Sequence, residues 1–295
     1  MNAFSATSQS LPGLVRSATH IRAEVVSQRQ LALDTYCLRV RCPEIAKQIT
    51  PGQFFMIRLP GETDPLLGRP FALYDVFEEN GQPAGIDFGY VVIGKMTSLL
   101  PRLTAGDAVE IWGPLGNGFP VPTGGRLMLV AGGIGQTPFL AVAREALGLR
   151  TYGSPARRIT AKPDSVSLCY GVRSKEYLAG VEEFAAVPGL NLQLATDDGS
   201  HGRSGFVTAL LSEALQSNTP PTSVYVCGPE PMMHAAAKLC AKHDVNCWLS
   251  LESPMACGFG ACFSCVTRVR QPDGTWDYRR TCVEGPVFPA RELVF

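Results

Sequence analysis

The chain has 295 residues, 45% hydrophobic and 18% charged, enough for two domains and a small appendage. Its 26 basic and 26 acidic residues cancel, so bulk attraction to nucleic acid or an anionic membrane is not expected. No apolar run approaches the roughly eighteen residues that cross a bilayer, and a cytoplasmic protein is expected.

Residues 1–19 hold no apolar signal core and are Ser-rich, with no acidic residue before Glu24. They read as a flexible tail, with an organellar transit peptide as the weaker alternative. From 20 to 122 the pattern is all β. Runs at Ile21–Val26, Tyr36–Arg41, Phe54–Leu59, Phe71–Val76, Asp87–Val92 and Val109–Trp112 are split by Pro, Gly and Asn turns. With one short helix over Thr97–Leu103, these six strands predict a small closed barrel.

Strands then alternate with helices over 123–251. Predicted strands are Leu127–Ala131, Val166–Tyr170, Leu190–Ala195, Val224–Cys227 and Cys247–Leu251; predicted helices are Thr137–Leu147, Lys175–Phe184, Phe206–Leu215 and Pro231–His243. Uninterrupted apolar strands between helices predict a parallel sheet covered on both faces. The fold class is therefore a β barrel, then an α/β parallel-sheet nucleotide-binding domain, then a small C-terminal segment over 252–295. The loop from Gly148 to Pro163 carries Arg150, Arg157, Arg158 and Lys162. It reads as solvated surface, with a partner-docking patch as the alternative.

Ala131-Gly-Gly-Ile-Gly-Gln-Thr-Pro138 joins a buried strand to a helix. Free N–H groups and the positive end of a helix dipole make that a seat for a pyrophosphate. Gly132, Gly133 and Gly135 permit close approach, although tight helix–strand packing alone would explain them. Cys227-Gly228-Pro229 and Thr196-Asp-Asp-Gly-Ser200 are further loops on the same carboxyl edge, where ligands of open α/β sheets lie. In the barrel, Arg69 opens a strand and offers a donor fork to phosphate, or an ion pair to Asp64. Gly94-Lys-Met-Thr97 opens the short helix, with Thr97 a hydroxyl donor, and Gly113–Gly118 is a glycine-rich strand end. The four histidines show no ligand spacing.

Three of the ten cysteines lie in Cys257-Gly-Phe-Gly-Ala-Cys262-Phe-Ser-Cys265, spaced by four residues and then two, as in plant-type ferredoxins. Gly258 and Gly260 would let the backbone curl with positive φ and bring N–H groups near inorganic sulfide. Val266–Arg270 and Trp276–Arg280 predict a hairpin that returns Cys282 as the fourth ligand of a 2Fe–2S cluster. A structural zinc ion is the alternative, and a disulfide framework suits short secreted chains instead. Cys37, Cys42, Cys169, Cys227, Cys240 and Cys247 sit singly in apolar runs and read as small buried hydrophobes.

Arg69-Pro-Phe-Ala72, Gly113-Pro-Leu-Gly116, the Gly132–Gly135 loop and Cys227-Gly-Pro229 together resemble the ferredoxin–NADP reductase superfamily. Met255–Cys265, closed by Cys282 and followed by Glu284-Gly-Pro-Val-Phe288, resembles the electron-transfer subunits of dihydroorotate dehydrogenase B. The likeness runs from about Ile21 to Phe288. It implies FAD in the barrel, with Arg69, Pro70, Phe71 and Ala72 along the flavin and Gly94, Lys95 and Thr97 near its pyrophosphate. It implies NAD at Gly132, Gly133, Gly135, Thr137, Cys227, Gly228 and Pro229, and a 2Fe–2S cluster on Cys257, Cys262, Cys265 and Cys282. Two residues depart from the family: Ala72 stands where serine is usual, and Met96 replaces the middle glycine of Gly-Lys-Gly-Thr.

The implied partner is an FMN-containing catalytic subunit, in a heterotetramer, that oxidises dihydroorotate in pyrimidine biosynthesis. Nicotinamide moves a hydride and a cluster one electron at a time, so a flavin must convert between them. No catalytic side chain is expected, because hydride transfer needs alignment more than proton transfer. Glu252 reads as a proton partner to the flavin or as a surface residue. NAD is expected over NADP, although Arg173 would suit a 2′-phosphate. The alternatives are the small subunit of an NAD(P)H–ferredoxin transhydrogenase or sulfide dehydrogenase, and a non-catalytic zinc-stapled nucleotide-binding module.

Overall fold

The computed structural model describes residues 18–295. The expected N-terminal tail therefore lies outside the described residues, apart from Ala18 and Thr19. The first half is one antiparallel sheet of β1 (Thr19–Ala32), β2 (Thr35–Arg41), β3 (Phe54–Arg58), β4 (Arg69–Ala72), β5 (Asp75–Glu79), β6 (Gln82–Val91) and β7 (Ala108–Leu115), ordered β4-β3-β7-β1-β2-β6-β5. Local chemistry sets its turns. Asn80 and Gly81 join β5 to β6 with φ of 52° and 72°, the left-handed pair that a two-residue hairpin requires.

The predicted strand Phe71–Val76 is in fact two strands. The backbone turns a corner at Leu73-Tyr74, where Leu73 N–H donates to Gln53 O on the β3 side and Tyr74 N–H to Asp87 O on the β6 side. That corner curls the sheet into a barrel, so seven strands stand where six were expected. A one-turn helix, α1 (Pro43–Ala46), was not foreseen, and the helix expected over Thr97–Leu103 is α2 (Lys95–Leu99) followed by a 3₁₀ turn. Phe55, Ile57, Ile86, Phe88, Val109 and Ile111 fill the interior.

The second half is a sheet ordered β11-β10-β9-β8-β12-β13-β16. Its strands are β8 (Arg126–Gly132), β9 (Ser165–Val172), β10 (Leu190–Thr196), β11 (Arg203–Ser204), β12 (Ser223–Cys227), β13 (Asn246–Ser250) and β16 (Val287–Pro289). All pair in parallel except β16, which is antiparallel to β13. Leu127, Leu129 and Ala131 of β8 face α3 (Phe139–Ala146) and α4 (Val181–Ala185), while Met128 and Val130 face α5 (Val207–Leu215) and α6 (Glu230–Lys242). A strand buried on both sides has no polar face, which is why it reads as a continuous apolar run.

The expected helix Lys175–Phe184 is broken. A 3₁₀ turn over Lys175–Tyr177 is followed by Gly180 at φ 69°, and only then by α4. Between β13 and β16 lie β14 (Val266–Arg270) and β15 (Trp276–Arg280), the predicted hairpin.

The Gly148–Pro163 loop is not solvated throughout. Arg150 and Arg144 converge on buried Asp75 of the barrel, and Tyr152 donates to the same carboxylate at 2.7 Å. Arg157 pairs with buried Glu145 and donates to Phe119 O at 2.6 Å. These two arginines stitch the domains together, which a sequence pattern limited to near neighbours does not reveal. Among the described residues no helix is long and apolar enough to cross a membrane.

Candidate functional site: a cluster loop, a flavin strand and a nucleotide edge

The cysteine-rich loop is pinned to the barrel's outer wall. Phe54, Met56 and Leu115 form one buried group with Cys265 and Cys282. β3 therefore has two buried faces, which explains the unbroken run Phe-Phe-Met-Ile. Gly258 and Gly260 have φ of 79° and 97° as the sequence predicts, and a Cβ on Gly258 would lie 2.6 Å from Met56 Cγ. Only glycine allows this approach.

The hairpin register Val266↔Arg280 sets Cys265 beside Thr281 and Cys282, and Thr281 N–H donates to Cys265 O at 2.8 Å. Arg280 donates to Gly260 O at 2.9 Å and stacks on Phe263 at 4.6 Å, tying hairpin to loop. Electrostatically Cys262 is coupled to Cys257, and Cys282 to Cys265 and to Cys257.

Among the described residues no three metal-binding side chains close around one point. Two couples of thiols suit a binuclear cluster, with two thiolates per iron, better than one tetrahedral zinc ion. Ser264 hydrogen bonds draw exposed Cys262 down from 9.0 to about 6, favouring thiolate, while burial pushes Cys282 up. The remaining cysteines behave as expected: all but half-buried Cys227 are buried, and burial raises Cys42 and Cys169 to about 12.

Three loops meet at the carboxyl edge of the parallel sheet, where Ala131 pairs with Cys227 and Gly132 with Gly171. A Cβ on Gly135 would lie 2.3 Å from Cys227 O, and one on Gly132 would lie 2.8 Å from Pro229 Cδ. The two glycine loops thus touch. Gly133, at φ 55°, has nothing within 4 Å on its open side, which leaves room for a phosphate. Gly135→Ala is expected to spread the loops and weaken NADH binding at least about tenfold, measured by titration of flavin reduction.

Thr137 is engaged within the protein. Its hydroxyl donates to Ile134 O at 3.0 Å and its methyl packs where a Cβ on Gly89 would stand, so it docks the loop onto the barrel. α3 accordingly begins at Phe139, after a 3₁₀ turn over Gly133–Gln136.

Arg69, Pro70, Phe71 and Ala72 are β4, the edge strand beside β3. Arg69 does not pair with Asp64; it donates to Leu67 O and Gly68 O at 2.9 and 3.1 Å, and Asp64 pairs with Lys95 instead. That ion pair joins the loop before β4 to the start of α2, so both stretches assigned to FAD adjoin. Thr97 is engaged in capping. Its hydroxyl oxygen accepts from Ile93 N–H and Gly94 N–H at 3.1 and 2.9 Å and is not a free donor. Gly94 is open to solvent, the nearest atom to a built Cβ lying 4.0 Å away. Exposed Arg69 and this open backbone fit a flavin nucleotide, with the Thr97 hydroxyl already engaged at the helix start.

Asn117 was missed by the sequence. Its amide donates to Glu284 O and Val287 O at 3.0 and 2.8 Å and accepts from Val287 N–H at 3.0 Å, clamping the chain as it leaves the cysteine segment. Asn117→Ala is expected to cost about 2 kcal/mol in chemical denaturation, because three backbone groups lose their partner. Trp112 was read only as the end of an alternating strand, yet its indole N–H donates to Cys257 O at 2.8 Å. A half-buried indole's need for an acceptor was the one available cue.

An antiparallel barrel joined to a parallel sheet with a glycine-loop edge is the architecture of the ferredoxin–NADP reductase class. The comparisons agree. A ferredoxin NADP⁺ reductase from Neisseria gonorrhoeae with bound FAD and NADP superposes with a TM-score of 0.61 at 18% identity, over 76% of this chain and 91% of that one. The structure of an NADH-dependent reduced ferredoxin–NADP oxidoreductase superposes with a TM-score of 0.77 at 27% identity, over 92% of this chain and 89% of that one.

Residues 22–119 match the oxidoreductase FAD-binding domain and 129–238 the oxidoreductase NAD-binding domain. Residues 252–294 match the iron–sulfur cluster binding domain of dihydroorotate dehydrogenase B. The dihydroorotate dehydrogenase B (NAD⁺) electron transfer subunit of Bacillus caldolyticus is 38% identical over 92% of this chain and 98% of its own length. An electron transfer subunit homolog from Aquifex aeolicus is 35% identical over 93% and 98%. The chain belongs to the family of dihydroorotate dehydrogenase B electron transfer subunits.

Proposed function

We propose that this chain passes electrons between the FMN of a dihydroorotate-oxidising partner and NAD. The observation that carries it is a shared wall. β3 pairs with the flavin strand (Met56↔Pro70), and the same Met56 touches Gly258 of the cysteine loop. One strand therefore separates the two sites. When bound, the flavin exchanges a hydride with nicotinamide and single electrons with a 2Fe–2S cluster.

The chain's own residues align and insulate. Gly132, Gly133 and Gly135, with Cys227, Gly228 and Pro229, form the nucleotide cradle. Arg69 to Ala72 and the backbone at Gly94 and Lys95 hold the flavin nucleotide. Cys257, Cys262, Cys265 and Cys282 are the cluster ligands, with Cys257 and Cys262 serving one iron and Cys265 and Cys282 the other. No side chain at these sites acts as acid or base. The domains run over 20–122, 123–251 and 252–295, with β16 returning from the last to the second sheet. The partner is an FMN protein, in a heterotetramer.

Co-purification with that partner, followed by anaerobic assay with dihydroorotate and NAD⁺, tests the proposal. Orotate and NADH should form together only in the complex, with flavin and cluster absorbance in the isolated chain. A complex that ignores dihydroorotate but reduces ferredoxin would instead favour the transhydrogenase alternative, supported by the 27% identical structural relative.

A further inference from the structure

We propose that Trp112 is a positioning residue that sets the separation and electronic coupling between flavin and cluster, an inference resting on the site assignments above. Trp112 lies on β7 opposite Met56 of β3 and His20 of β1. Its indole N–H donates to the carbonyl of Cys257, the first cysteine of the cluster motif, at 2.8 Å. On its other side, a Cβ built on Gly68 would lie 2.4 Å from Trp112 Cη2, and Gly68 immediately precedes Arg69 and the flavin strand. One rigid ring thus touches the residue before the flavin strand and the residue that begins the cluster loop.

Two further facts make the contact more than packing. Among the described residues this is the one hydrogen bond from the barrel to the loop between Cys257 and Cys265. The ring also forms a wall of a cavity of about 440 Å³ at the seam of barrel and loop, lined as well by His20, Arg58, Gly68, Glu110 and Phe259. Packing of Gly258 on Met56 holds the next residue, and beside the open space the indole supplies the directional contact to Cys257.

The step concerned moves one electron. With both groups bound, the electron would pass from the reduced flavin to a ferric iron, and the flavin's proton would leave to solvent. The bond fixes where the cluster stands, and its N–H compensates the negative end of the Cys257 carbonyl dipole. Without that N–H, an added electron on the cluster is less favoured.

Trp112→Phe keeps an aromatic ring on the barrel wall and removes the donor. In the reconstituted chain, anaerobic stopped-flow with NADH should show flavin reduction at the wild-type rate and cluster bleaching about tenfold slower. The EPR g-values and linewidth of the reduced cluster should change as well. Gly68→Ala keeps the donor but pushes on the ring from the flavin side, and should alter the same EPR signal from outside the cluster loop. It decides the matter even if Trp112→Phe fails to retain iron. Wild-type EPR in Gly68→Ala, or wild-type rates and EPR in Trp112→Phe, would overturn the inference while leaving the proposed function standing. A wild-type chain without flavin or cluster would remove both.

Discussion

Replacing Cys265 by serine is expected to strip the iron and sulfide from the chain while leaving its flavin in place. Cys265 is 2% exposed, its carbonyl accepts from Thr281 N–H and hydroxyl at 2.8 and 3.0 Å, and its thiol faces Cys282. A hydroxyl there binds iron poorly, and the rigid hairpin cannot bring another sulfur in. Bound iron should fall at least about tenfold by elemental analysis, since even changes outside the ligand set cost 10- to 100-fold in metal affinity. NADH-driven reduction of a dye at the flavin should persist, and electron delivery to the partner should stop. Cys169→Ser is the control, because Cys169 is fully buried on β9, far along the chain from the motif. It should keep its iron and lose only about 1 kcal/mol of stability for the buried hydroxyl. Full iron retention in Cys265→Ser would refute the ligand assignment.

The largest effect on folding is expected at Asp75. Its side chain is 7% exposed, and the carboxylate receives Arg144, Arg150 and the Tyr152 hydroxyl, all from the α/β half, while Asp75 itself belongs to the barrel. Burial and the adjacent carboxylate push the Tyr152 hydroxyl well above its usual range, so it stays protonated and donates. Asp75→Ala leaves the Arg144 guanidinium and the Tyr152 phenol without their acceptor at a domain seam, and leaves Arg150 with Glu78 alone. Losing one partner of a buried ionic group costs about 3 to 5 kcal/mol. Urea denaturation should show that loss, together with a separated transition for the two halves if the seam opens first. A loss below about 1 kcal/mol, the range of an exposed pair, would mean the cluster is solvated.

These two sites differ in how far the sequence announced them. The cysteine loop was legible because its chemistry is local. Three thiols and two glycines lie within nine residues, and Gly258 and Gly260 adopt the positive φ their type predicts. The hairpin over Val266–Arg280 was equally plain, since alternating residues around Pro-Asp-Gly leave little other choice. The Asp75 cluster was invisible. Arg150 looks like any loop arginine until the barrel supplies a carboxylate 75 positions earlier.

The misread elements share that cause. Leu73-Tyr74 is as β-prone as its flanks, and only the two ladders that claim its successive N–H groups turn it into a corner. Lys175–Phe184 has helical periodicity, yet Gly180 takes a left-handed conformation where a Cβ would lie 2.5 Å from the Tyr74 hydroxyl of the barrel. Thr97 offered a hydroxyl on paper, and the helix start consumes it.

The amino-acid order by itself determined the cofactor set and the succession of barrel, parallel sheet and cysteine segment. Each of these rests on side chains a few residues apart, whose backbone conformations are settled by turn and strand chemistry. Only the tertiary structure decided that one barrel strand, β3, touches both the Arg69–Ala72 strand and the cysteine loop, that arginines of a loop lock the domains, and that β16 closes the second sheet. Those facts depend on contacts between residues tens to hundreds of positions apart, which no periodicity or spacing records because either partner alone is compatible with many folds.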